Sequence, residues 1–166
     1  MEKINTHLKY GGLTGLAIVI VGLVLYVTDL SFKSGMGLVA QAPFLIGILL
    51  NAVAFSKAND RNVTFGNVFS SGFKASAIVV LISLAWTFIA LAVFPEMKEK
   101  ALEISEQQMM DQKMSDDQME MAMEMTRKYF TLFMIGGILF SQLFWGAIFS
   151  LLGAAIAKKK KPELGA

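Results

Sequence analysis

Four stretches of this chain carry no charged side chain: residues 10–28, 34–56, 75–94 and 129–157, which are 19, 23, 20 and 29 residues long. A helix rises about 1.5 Å per residue, so roughly 20 apolar residues cross the hydrocarbon of a bilayer. All four stretches are long enough, the fourth with length to spare for tilt. Inside lipid the backbone must satisfy its own hydrogen bonds, so each stretch is expected to be a helix. Hydrophobic types make up 55% of the chain and charged types 17%, against about 25% charged in soluble domains. The expected fold is therefore all-α: one integral membrane four-helix bundle, residues 1–166, with spans near 8–28, 35–56, 74–94 and 128–157. The first span begins after basic Lys3 and Lys9, but its apolar run is about twice a usual signal core and no clean cleavage site follows. It is read as retained.

The distribution of Lys and Arg sets the expected orientation. With the N-terminus in the cytoplasm, the inner segments hold Lys3, Lys9, Lys57, Arg61, Lys74 and the lysine run 158–161, nine bases in all. The outer side holds Lys33, Lys98, Lys100, Lys113, Arg127 and Lys128, six in all, five of them in one long loop that counts weakly. Arg127 and Lys128 lie at the outer end of the fourth span and oppose this arrangement. The balance places both termini inside.

Residues 95–127 are too periodic to be a linker. Pro95 suits a first helical turn, and the stretch 96–113 is rich in Glu, Lys, Gln, Ala and Leu. Ser115 and Gln118 have capping-box spacing. The expectation is a helix ending near Met114 and a second starting at Asp116 and running unbroken into the fourth span, together an extramembrane, periplasmic helical hairpin. Counted from Pro95 to Lys128, nine acids against five bases make it acidic. Seven of the eleven methionines lie between positions 109 and 125. Soft thioether sulfurs can hold Cu(I). Met119, Met121, Met123 and Met125 alternate, however, so a helix splits them between two faces, and adaptable packing is the better reading.

The run 64–73 repeats Phe65, Phe69 and Phe73 every fourth residue, which places an aromatic ridge on one helix face. Asn62 or Thr64 can cap its start. Either this is an interfacial helix with its rings toward the lipid, or it runs straight into the third span; in both cases Lys74 snorkels to the headgroups. Phe65, Phe69, Phe73 and Lys74 are candidates for a lipid- or partner-binding elbow. Within the spans, Gln41, Asn51 and Gln142 are the costly polar side chains, read first as interhelical hydrogen-bonding groups. Gly11 with Gly15, and Gly146, Ser150 and Ala154, have the small-xxx-small spacing that lets helices approach closely. Pro43 is expected to kink the second span.

No acid or base lies inside any of the four uncharged stretches, which argues against ion-coupled transport. With no cysteine and one histidine, His7, thiol catalysis, disulfides, thiolate zinc and imidazole clusters are excluded. No nucleophile elbow, phosphate loop or dinucleotide fingerprint occurs. A carboxylate pair such as Asp116 and Asp117 reads as helix capping. Net charge +2 gives no case for nucleic acid.

Several pieces of the chain resemble one family of small four-span bacterial proteins, the domain-of-unknown-function 4199 family. They are Tyr10-Gly-Gly-Leu-Thr-Gly15, Thr64-Phe-Gly-Asn-Val-Phe-Ser-Ser-Gly72-Phe73, Met114-Ser-Asp-Asp-Gln118 leading to Met123-Glu-Met125, and the closing run 158–161 with Pro162. In order they cover nearly the whole chain. The resemblance implies an inner-membrane protein of Gram-negative bacteria. It brings no activity, cofactor or catalytic residue, and it hints at a genetic neighbourhood of polyprenol-phosphate glycosyltransferases. The expected function is that of a non-enzymatic accessory or scaffold subunit, embedded in the bilayer and binding a membrane partner or a second copy of itself. The alternatives are a lipid-handling protein, such as an accessory to polyprenol-linked glycosyl transfer, and an oligomeric channel.

Overall fold

The computed structural model describes residues 5–31, 33 and 35–160. Lys3, Ser34, Lys161 and Pro162, which entered the reading above, lie outside the described residues. Six helices follow one another: α1 Thr6–Val27, α2 Met36–Ala58, α3 Phe65–Val93, α4 Glu96–Asp111, α5 Asp116–Lys128 and α6 Phe130–Ile156. No strand occurs among the described residues. The four long apolar helices α1, α2, α3 and α6 have the length and composition to cross a membrane.

The ends are set by local chemistry. α1 stops at Thr28, whose Oγ1 donates to the Val24 carbonyl at 2.7 Å. Asp29 then turns left-handed at φ +53°, and the Leu30 and Ser31 N–H groups both close on the Leu25 carbonyl. α2 is preceded by Gly35 at φ +83°, a conformation that side chains rarely adopt. α2 ends where Asp60 and Arg61 are both left-handed, while the Asn59 amide donates back to the Phe55 carbonyl at 2.8 Å. Thr64 caps α3 by accepting from the Asn67 N–H at 3.2 Å.

The structure decides one boundary that the sequence left open and changes another. Phe65–Val93 is one 29-residue helix, so the aromatic ridge at 65–73 is the opening of α3 and not a separate interfacial element. Lys74 interrupts the uncharged stretch but not the helical ladder. α5, in contrast, does not run unbroken into the fourth span. Tyr129 leaves the helical well at φ −108°, although its N–H still reaches the Met125 carbonyl and its own carbonyl serves Phe133. The interruption falls where a charged helix gives way to an uncharged one, and both backbone groups of Tyr129 keep partners across it.

The chain divides into two compact units. The first comprises Met1–Ser83 with Phe140–Ala166. Its core is Phe44, Ile48, Ala75, Val79 and Phe149, with a second cluster of Ala52, Val68, Ala154 and Ala157. Phe44 and Phe149 meet edge to face, with ring centroids 5.4 Å apart. The second unit is Leu84–Leu139. In it α4 packs on α5, and Met123 is the one buried residue of α5. Lys113, at φ +56°, turns the chain between them. The Ser115 N–H donates to Gln118 Oε1 at 3.4 Å, one arm of the capping box at the start of α5.

Candidate functional site

The interior of the first unit is closed by small residues. A methyl group on Gly11 would sit 2.8 Å from the Ala75 carbonyl oxygen, and one on Gly15 would strike Ile82, so α1 lies directly on α3. A methyl group on Gly47 would overlap the Thr14 side chain, which brings α2 equally close to α1. On α6, Gly146 faces Ser76, Ser150 faces Gly72, and Gly153 faces Ala52. Ala154 is fully buried beside them. The five packing candidates read from the sequence thus lie along these tight contacts. The spacing announced close approach but not which helix would approach which.

The intramembrane polar side chains fare differently from one another. Asn51 is fully buried, and its Nδ2 donates to Ser71 Oγ at 3.2 Å. Ser71 Oγ lies in turn 3.5 Å from Thr6 Oγ1, so a short polar chain links α2, α3 and the first residue of α1. Asn51 Oδ1 and Gln142 Oε1 are buried without a hydrogen-bond partner. Ser76 and Ser150 satisfy themselves on carbonyls one turn back in their own helices, at Gly72 and Gly146. Gln41 joins none of this. It lines a lateral groove of about 690 Å³ bounded by α2 and α6, whose other walls include Leu38, Leu45, Trp145 and Phe149. Around this groove α6 displays a row of rings: Phe140 stacks near Phe144, and Trp145 near Phe149. Phe140 and Phe144 are 75% and 52% exposed.

The elbow candidates open α3. Phe65 and Phe73 are exposed, and Phe69 packs against the Val68 cluster while its ring lies 5.9 Å from that of Phe73. Lys74 is exposed on the next turn. The sequence reading missed what joins this region. The segment after α6 folds onto the α2–α3 connection: Ser56 Oγ donates to the Lys158 carbonyl, and the Lys160 N–H donates to the Arg61 carbonyl at 2.8 Å. Lys159 Nζ donates to the Ala154 carbonyl and stands 5.5 Å from the centre of the Phe65 ring. In the sequence the lysine run served as an orientation signal and as part of the family resemblance, not as a docking element. The polar pair Ser56 and Lys57, followed by a connection rich in turn formers, was the available hint that something docks there.

In the second unit a shallow recess of about 900 Å³ is lined by side chains of both signs, among them Glu106, Asp116, Glu120 and Arg127. Met123 is buried while Met121 and Met125 are exposed, so these sulfurs do not converge. Among the described residues no group of three or more His, Cys, Asp or Glu side chains is placed to hold a metal ion.

Comparison with known families gives one match: the family described as "Protein of unknown function (DUF4199)" covers residues 9–159. No curated protein and no solved structure matches the chain.

Proposed function

The chain belongs to the DUF4199 family, and from that premise we propose that it is a non-enzymatic accessory subunit of a membrane assembly, working through its lateral surface. The observation that carries this reading is Gln41. A primary amide on the wall of an otherwise apolar groove has nothing to hydrogen-bond in hydrocarbon, and such side chains are used between transmembrane helices as interhelical links. The groove is floored by glycine at Gly35 and Gly37 and flanked by the Trp145 and Phe149 rings. This shape suits a partner's transmembrane helix presenting a small residue and one polar group. The tightly closed interior supports the same view, because what this unit has to offer a partner is its outside.

The accompanying topology is a multi-pass protein of the bacterial inner membrane with both termini cytoplasmic. The α4–α5 hairpin is then periplasmic. The test is photo-crosslinking in native membranes from a probe at Leu38, in the wild type and in Gln41→Leu. The expected result is a discrete crosslinked protein that disappears in the variant. A crosslink unchanged by Gln41→Leu, or only a ladder of lipid adducts, overturns the reading.

A further inference from the structure

We propose that the end of the first unit formed by residues 56–65, Lys74 and the segment 157–160 is a binding site for the headgroup of an anionic phospholipid. Six basic residues lie on these segments: Lys57, Arg61, Lys74, Lys158, Lys159 and Lys160, with Asp60 as the single acid among the described residues of these segments. They are not a loose tail. The Ser56–Lys158 and Lys160–Arg61 hydrogen bonds clamp the lysines over the α2–α3 connection, and Ala157 is buried beneath them. These bonds hold the segments that carry the charges together before any ligand arrives, which reduces the ordering cost of binding.

The depth is also right. The stretch 75–93 of α3 is 19 residues, about 28 Å, already close to the roughly 30 Å of bilayer hydrocarbon. The residues 65–74 before it therefore extend from the edge of the hydrocarbon out through the headgroup region. At that level the exposed Phe65 and Phe73 rings offer an apolar wall to the glycerol and upper acyl region, while the lysines and Arg61 reach the phosphate. Arg61 supplies a planar fork for phosphate oxygens and the lysines supply point charges. Lys159 is held over Phe65, so one cation of the site is positioned by the ring that contacts the lipid. This inference stands independently of the groove at Gln41.

The test uses the full chain purified in a neutral detergent. Thermal unfolding is followed on addition of phosphatidylglycerol, of phosphatidylcholine, and of inorganic phosphate at equal phosphorus. Native mass spectrometry records the lipids retained. Phosphatidylglycerol is expected to raise the wild-type Tm and to remain bound, while the other two do neither. Lys158→Gln/Lys159→Gln/Lys160→Gln with Arg61→Gln is expected to abolish both effects, and the corresponding Lys→Arg triple is expected to keep them. If the quadruple variant does not fold, Lys74→Gln and Lys159→Gln singly are each expected to weaken phosphatidylglycerol binding about fivefold, the effect of one cation near an anionic surface. Equal stabilisation by phosphatidylcholine, a matching shift with inorganic phosphate alone, or undiminished phosphatidylglycerol retention in the glutamine variants each overturns the proposal.

Discussion

In the unit made of Met1–Ser83 and Phe140–Ala166, helices meet through glycine, alanine and serine; in Leu84–Leu139, α4 and α5 are set by a cap and one buried methionine. α6 passes through both regimes and makes the contrast visible within one element. A methyl group added at Gly146 or Gly153 would meet a neighbour at under 3 Å, whereas at Gly136 and Gly137 it would meet nothing within 4 Å. Gly136 and Gly137 lie in the same uncharged stretch as Gly146 and are open only because no neighbour reaches them; between the first unit and the α4–α5 pair, the difference follows from the solvent. In lipid, apolar surface gains nothing by leaving its surroundings, so helices associate through close van der Waals fit and a few hydrogen bonds. Where side chains are charged and the surroundings aqueous, local helix signals and burial of a sulfur suffice.

The largest test of that contrast is a matched pair on α6. Gly146→Leu forces a branched side chain into Ser76 and Phe44, and overpacking of this kind costs about 1–3 kcal/mol or more. Gly137→Leu enters open space and is expected to stay within about 0.5 kcal/mol of wild type. Denaturant titration of the protein in mixed micelles measures both. Similar losses at the two positions would mean that the small residues of α6 do not distinguish the units.

Next in size is the polar chain of the first unit. Asn51→Ala removes a buried donor and its 3.2 Å bond to Ser71, at an expected cost of about 1–2 kcal/mol. A double-mutant cycle with Ser71→Ala is expected to show a coupling of about 0.6 kcal/mol, the average for interhelical bonds in a bilayer. Strict additivity would mean that the two side chains do not act together. The corresponding local test in the second unit is Ser115→Ala. It removes the capping box at the start of α5 at a cost of about 1 kcal/mol. Amide exchange at residues 116–119 should accelerate about fivefold, while exchange around Asn51 stays unchanged.

What the sequence made legible follows the same division. The four spans were readable because the absence of charge over about 20 residues has one physical meaning in a chain of this composition. The start of α5 was readable because Ser115 and Gln118 are three residues apart and need nothing distant. The start of α3 was not settled, since Lys74 mimics a span boundary while a lysine at headgroup depth leaves the helix intact. Gln41, Asn51 and Gln142 stood out by their cost, but their fates differ by geometry: Asn51 donates to Ser71, the side-chain oxygens of Asn51 and Gln142 stay unpaired, and Gln41 faces a groove. The docking of Lys158 on Ser56 joins residues 102 apart, beyond any local pattern. Sequence spacing also could not pair α1 with α3 through Gly11 and Gly15, because a glycine shows where room exists and not who fills it.

The smallest expected effect asks whether charge contributes to tertiary order in the second unit at all. Lys98, near the start of α4, stands 5.5 Å from the centre of the Phe130 ring at the start of α6. An exposed cation over a phenyl face is worth about 0.5–1 kcal/mol, and the lower value fits an exposed lysine over the weaker phenyl quadrupole. Lys98→Gln removes the charge and keeps most of the stem, so its loss isolates the electrostatic part. Phe130→Leu keeps apolar bulk and removes the quadrupole. If the contact holds α4 in place, the two single losses and the double variant differ by a coupling of about 0.5 kcal/mol, and Lys98→Arg retains wild-type stability. If the double variant is additive, the ordering of this unit rests on α4–α5 packing and the Ser115 cap alone, and the contrast between shape-held and locally held helices becomes sharper still.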